Sequence, residues 1–133
     1  MNAAFIRLGL TACDIGVSYF LPRMVGMAVA SQYMLTGRFI DADKALSLGL
    51  VSEIVDEAQI FEEADSIVRD MLHASPAGLR LTKDALNHSI DAGGLEAVIA
   101  MEDRNQTLCS RDPNFEEGIA AFNEKRTPKY KQN

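Results

Sequence analysis

The chain has 133 residues, 47% hydrophobic and 24% charged, with no low-complexity tract, which is the make-up of an ordinary globular protein. A formal net charge of -6, with no Lys/Arg cluster before the last ten residues, argues against a nucleic-acid or anionic-membrane surface. No run approaches the roughly 18 apolar residues that span a bilayer, and Met1-Asn2-Ala3-Ala4-Phe5 lacks the basic-then-apolar order of a leader, so a cytoplasmic protein with neither membrane nor nucleic-acid partner is expected.

A chain of this size buries only a moderate share of its surface, so helices that also hide apolar faces against further subunits are a natural source of stability. Cys13 and Cys109 stand far apart, and His73 and His88 stand alone. Neither a disulfide framework nor a metal site is expected from such spacing.

Taken in chain order, Phe5-Ile6-Arg7-Leu8-Gly9-Leu10 reads as a short strand or extended lead-in, followed by a loop over Thr11-Ala12-Cys13-Asp14. Ile15, Phe20, Leu21, Met24 and Val25 then form a helical stripe, with a bend expected at Pro22 and Gly26 just past the end. A second helix is predicted from Met27 to about Leu35, stopping at Thr36-Gly37. Asp41 can cap a short helix over Ala42 to Leu48 that ends at Gly49. The β-branched stretch Leu50 to Val55 reads as a brief strand or an extended connector.

From about Glu57 to His73 the apolar residues Ile60, Phe61, Ala64, Ile67, Val68, Met71 and Leu72 recur at helical spacing, which predicts an amphipathic helix. Ser75-Pro76 supplies an N-cap followed by proline at the first helical position, opening a helix to about Ile90. Gly93-Gly94 interrupts the chain, a helix covers Leu95 to Cys109, and Asp112-Pro113 opens a last one carrying Phe115, Ile119 and Phe122, which Pro128 stops. The fold class expected from the residues is therefore mainly α with a short β lead-in. An extended apolar start with no partner strand in the chain leads us to expect a preceding segment in a larger β-containing layer.

The run Gly9-Leu10-x-x-x-Asp14-Ile15-Gly16, then Leu21-Pro22-Arg23-x-Val25-Gly26, Leu35-Thr36-Gly37-Arg38, Ala42-x-x-Ala45, Gly49-Leu50-Val51 and Thr82-Lys83 resembles the enoyl-CoA hydratase/isomerase (crotonase) family. Asp112-x-x-x-Glu116-Glu117-Gly118-x-x-Ala121-Phe122-x-Glu124-Lys125-Arg126-x-Pro128 is similar to that family's closing segment. Each glycine alone is an ordinary helix stop, and the weight lies in the joint order. The resemblance implies the C-terminal part of an α/β crotonase (ClpP/crotonase-like) fold, with residues 1–55 closing the core and residues 56–133 forming a helical oligomerisation region. It also implies a trimer or dimer of trimers, and a role in acyl-CoA and fatty acid metabolism, with a CoA thioester as substrate and no separate cofactor.

Members of that family stabilise the enolate of an acyl-CoA thioester with two backbone N–H groups, and both come from sequence earlier than any matched here. Of the family's two hydratase glutamates, one belongs to that earlier sequence and the other aligns with Phe5, which has no proton to exchange. Ordinary hydration by this chain alone is therefore not expected. Asp14 resembles the aspartate that does acid/base or nucleophilic work in dienoyl-CoA isomerases and related dehalogenases; the alternative is a cap on the helix starting near Ile15. The resemblance places Lys125, with Phe122 beside it, where the family meets the adenine and 3′-phosphate of CoA. The alternative for Lys125, Arg126, Lys129 and Lys131 is a solvated tail. Arg23 is expected to be an ion-pair partner, and Cys13 a small buried thiol.

Overall fold

A computed structural model describes residues 1–131. Local signals account for most of its helices. Asp41 caps α3 (Ala42–Ser47), its Oδ1 accepting the Lys44 N–H at 2.7 Å. Ser75 caps α5 (Pro76–Ser89) by accepting the Gly78 N–H at 3.0 Å, and Asp112 caps α7 (Pro113–Glu124) by accepting the Asn114 N–H at 2.8 Å. In both, proline occupies the first turn, where a missing N–H costs nothing. The remaining helices are α1 (Val17–Val25), α2 (Met27–Thr36), α4 (Ile60–Met71) and α6 (Leu95–Ser110).

The start of the chain corrects the expectation of a β lead-in. Residues Ala4–Leu8 form a 3-10 helix closed by Gly9 in the left-handed region, and no strand occurs among the described residues. Leu50 to Val55 likewise forms turns and irregular chain. Short apolar runs do not distinguish a strand from a buried helical turn by periodicity, and a strand has no stability without a partner. Helix α1 begins at Val17, two residues later than expected, and Pro22 lies inside it.

The chain divides into two compact units, Met1–Gln59 and Ile60–Asn133. In the first, α1 packs on α2 around Ala12, Ala30 and Met34, with Ile6, Val17, Leu21 and Val25 closing over them. The backbones of Met1 and Ile40 exchange two hydrogen bonds, at 2.9 and 2.8 Å. The 3-10 helix approaches the end of α2 so closely that a Cβ on Gly37 would lie 2.8 Å from Ile6 Cγ2; with φ at 58° that position suits glycine on two counts. In the second unit α5 packs on α6, and buried Asn105 reaches the Leu81 carbonyl at 3.5 Å.

Few side chains are enclosed. The accessible surface is 10074 Å². Two separate globules of half this mass would together expose roughly 8,300 Å² by the usual size scaling, so the chain carries roughly 1,700 Å² beyond even that allowance. A standard interface covers roughly 800 Å² per partner. The uncovered area is also apolar in character: α4 buries nothing along its stripe, with Phe61, Ile67, Val68 and Met71 all exposed. These faces have the composition of surfaces that meet other protein. No helix among the described residues is long and apolar enough to cross a membrane.

Candidate functional site

The two places singled out by sequence fall in different units. Asp14 lies in the first, in the loop between the 3-10 helix and α1. Ala12 anchors that loop in the core, and Thr11 Oγ1 donates to the Cys13 carbonyl at 3.2 Å. Asp14 Oδ1 accepts the N–H of the next residue, Ile15, at 2.8 Å, and the Asp14 carbonyl accepts the Val17 N–H at 2.9 Å. The N-cap of α1 is Gly16, in the left-handed region and with no side-chain cap. The capping alternative for Asp14 is thereby corrected: its carboxylate fixes the loop before the helix rather than the helix end.

Ile15 has φ 43° and Gly16 φ 88°, two successive left-handed residues. A β-branched side chain is strained there, and Ile15 is 85% exposed, so the turn projects an apolar side chain outward at a cost in backbone energy. Asp14 is itself exposed. A carboxylate gains power as a base or nucleophile where water is excluded, so Asp14 depends on whatever covers this loop for any such role.

Below the loop is an open, mostly apolar hollow of about 630 Å³, lined among others by Ile6, Leu10, Cys13, Pro22, Met34 and Leu35. That volume is within the usual range for small-molecule sites. Cys13 lines it as an exposed free thiol, which corrects the expectation of a buried one. Arg23 is also corrected: it lies 3.6 Å from the centre of the Tyr19 ring and donates to the Tyr19 carbonyl at 3.0 Å, pairing with no carboxylate among the described residues. A second groove, of about 350 Å³, runs between α5 and α6 past Leu81, Ala85, Val98 and Gln106. No group of His, Cys, Asp and Glu among the described residues is arranged to hold a metal ion.

The other place is the end of α7. Phe122 is 82% exposed on the last turn of the helix, and Lys125 is the residue that ends it, with φ 55° and ψ 40°. The left-handed turn at Lys125 sends its N–H back to the Phe122 carbonyl at 3.3 Å and reverses the chain, so that residues 126–131 run back along α7. Buried Asn114 takes the Lys131 N–H on Oδ1 at 2.7 Å and gives Nδ2 to the Lys131 carbonyl at 3.0 Å. Gly118 leaves room for Tyr130, whose hydroxyl would be 3.1 Å from a Cβ at that position.

Glu117 is the hub of this reversal. Its Oε1 accepts from Arg126 Nη1 at 2.6 Å and from the Lys129 N–H at 2.6 Å, and its Oε2 accepts from Arg126 Nη2 at 3.0 Å. These bonds favour the charged carboxylate and hold its pKa down to about 2, the Arg126 bond contributing most. Arg126 Nε is bonded to Glu124, and both carboxylates push the guanidinium pKa up. The tail is thus fixed in path rather than loosely solvated, while Lys125 and Phe122 both face outward. Asn114, and the anchoring role of Glu117, escaped sequence reasoning, because their partners are up to 17 residues away and meet them only after the turn at Lys125.

A family model for enoyl-CoA hydratase/isomerase matches residues 1–133. The chain is 41% identical over 128 residues to a probable enoyl-CoA hydratase of Mycobacterium tuberculosis, covering 96% of this chain and 45% of that protein. It is 32% identical over 127 residues to 1,2-epoxyphenylacetyl-CoA isomerase of Escherichia coli, covering 96% of this chain and 48% of that protein. Its structure superposes on that of enoyl-CoA hydratase from Bacillus anthracis with a TM-score of 0.90 and 31% identity, covering 98% of this chain and 50% of that one. The chain spans about half the length of the relatives it matches, in keeping with a C-terminal half of the crotonase fold. With every residue of the chain inside the family match and the helices superposing along nearly its whole length, this protein belongs to the enoyl-CoA hydratase/isomerase family.

Proposed function

We propose that the chain is the CoA-binding and assembly portion of an acyl-CoA-processing enzyme, and that it does not turn over substrate by itself. The observation that carries this reading is the family match along all 133 residues of a chain that spans half of its relatives, combined with apolar faces left uncovered in both units. An enolate forming on a thioester needs preorganised main-chain donors, and the family supplies them from sequence that precedes the part matched here. The 630 Å³ hollow lies against the Asp14 loop and is lined by the apolar side chains an acyl group requires. Lys125 supplies a point charge for the 3′-phosphate and Phe122 a flat apolar face for the adenine.

In this reading Asp14 takes up and returns a proton in isomerase-type chemistry, or attacks carbon and displaces its halide in dehalogenase-type chemistry, since Phe5 leaves the second hydratase position without an acid. The exposed stripe of α4 and its neighbours serves a homo-oligomer, a trimer or dimer of trimers, in the cytoplasm. As an assembly module the chain associates with itself in solution; a monomer by light scattering at micromolar concentration, with no apolar-dye binding, removes that part of the reading.

The main test is turnover. The chain is assayed against enoyl-CoA thioesters alone and after addition of a polypeptide carrying the preceding half of the family fold. Activity only in the mixture is expected, and it falls with Asp14→Asn. Robust turnover by the 133-residue chain alone refutes the proposal, and full activity of the Asp14→Asn mixture returns Asp14 to a purely local role in its loop.

A further inference from the structure

We propose that Glu117 is a positioning residue for anion capture: by holding Arg126 and the Lys129 amide it secures the left-handed Lys125 turn and leaves the Lys125 ammonium on that turn open to a phosphate. The inference deepens the reading of Lys125 as a contact for the CoA 3′-phosphate and rests on it.

Three observations carry it. First, Lys125 is a non-glycine residue at φ 55°, a conformation that a lysine does not hold unaided and that the surrounding chain must impose. The Arg126 N–H closes the turn on the Ala121 carbonyl at 3.0 Å, and side-chain bonds secure it from beyond. Arg126 follows directly, tied through its terminal nitrogens to Glu117, and Lys129 is tied by its N–H to the same carboxylate. One side chain thus anchors the chain at two points just beyond the turn.

Second, the cations of this segment are sorted. The Arg126 guanidinium is occupied by Glu117 and Glu124, whereas Lys125 forms no ion pair among the described residues. Lys129 and Lys131 on the returning tail form no ion pair among the described residues either, but their main chains are tied down, and Lys125 is the ammonium carried on the turn itself. Arginine, the better bidentate phosphate ligand, is withdrawn from competition. Third, the clamp is an ion pair, and the Arg126 bond extends its charged range well into acid by lowering the Glu117 carboxyl to a pKa of about 2.

If Glu117 only stabilised the tail, its loss would weaken all ligands alike. If it positions Lys125, its loss acts on the one phosphate that Lys125 meets. The test compares CoA with 3′-dephospho-CoA, titrated into the 133-residue chain and followed by amide chemical shifts, for wild type, Lys125→Ala and Glu117→Gln. Wild type is expected to prefer CoA by about three- to five-fold, the scale of one exposed charge contact. Both substitutions are expected to bring that ratio close to one, while dephospho-CoA binding stays unchanged.

A preference lost in Lys125→Ala but retained in Glu117→Gln overturns the positioning role and leaves the Lys125 reading standing. A preference retained in Lys125→Ala, or absent in wild type, overturns that reading and the present inference with it. Arg126→Gln, which breaks the same pair from the other side, decides the matter if Glu117→Gln fails to fold.

Discussion

Replacing Asn114 with alanine is the sharpest probe of the reversed tail. Asn114 is 4% exposed and makes two hydrogen bonds to a single residue, taking the Lys131 N–H at 2.7 Å and donating to the Lys131 carbonyl at 3.0 Å. A net contribution of about 0.5–1.5 kcal/mol per bond gives about 1–3 kcal/mol for the pair. Lys131 is exposed, so its freed backbone groups find water, which places the cost in the lower part of that range, about 1–2 kcal/mol. Because these bonds join the tail to α7 rather than α7 to the rest of its unit, the loss is local. Amide exchange at Lys131 and Lys129 is expected to speed up by about 5- to 30-fold, the factor that 1–2 kcal/mol represents. The melting temperature falls by less than about 8 °C. Asn114→Asp keeps the acceptor but turns a carboxylate toward the Lys131 carbonyl, so it should recover less than half of the protection. Unchanged exchange at Lys131 in Asn114→Ala would refute this account of the tail, as would a loss of protection spread evenly through α7.

Two further outcomes test other parts of the structure. Gly37→Ala places a Cβ 2.8 Å from Ile6 Cγ2 at φ 58°, so left-handed strain of about 1–2 kcal/mol adds to overpacking of about 1–3 kcal/mol; chemical denaturation of the Met1–Gln59 unit should show a loss of about 2–5 kcal/mol, and a neutral result would mean that the 3-10 helix yields freely. The Glu117 carboxyl has a pKa lowered from 4.5 to about 2, so its contribution to the clamp is complete above pH 4.5 and is lost as the pH falls toward 2. Protection of the Lys129 amide relative to its intrinsic exchange rate, followed from pH 6 downward, should fall only below pH 4.5 and should lose that dependence in Glu117→Gln; loss of protection already at pH 6 contradicts the assignment.

Much of the helical framework was legible in the residues because its signals act over three or four positions. Asp41, Ser75-Pro76 and Asp112-Pro113 each cap the helix expected of them, and the periodic apolar run after Glu57 forms α4. The order of glycine and proline motifs likewise pointed to the family that the comparisons establish. The lead-in failed for a physical reason: Phe5 to Leu10 is apolar enough for a strand, but the close seat of Ile6 beside Gly37 turns the segment into a 3-10 helix, and residues 31 positions away decide that. For Asp14 a cap on α1 was the alternative to acid/base or nucleophilic work, and only the pair of left-handed residues at Ile15 and Gly16 shows that the cap is glycine.

The sequence by itself determined where helices start and stop, which faces are apolar and which family the order of motifs resembles, since all of these depend on neighbours along the chain. Tertiary structure alone decided that Asn114 and Glu117 grip a tail up to 17 residues further on, that Arg126 is paired while Lys125 is left open, and that Cys13 lines a hollow rather than a core. The first two of those facts follow from the chain reversal at Lys125, where the side-chain partners of Glu117 and Asn114 come within reach only after the chain has turned.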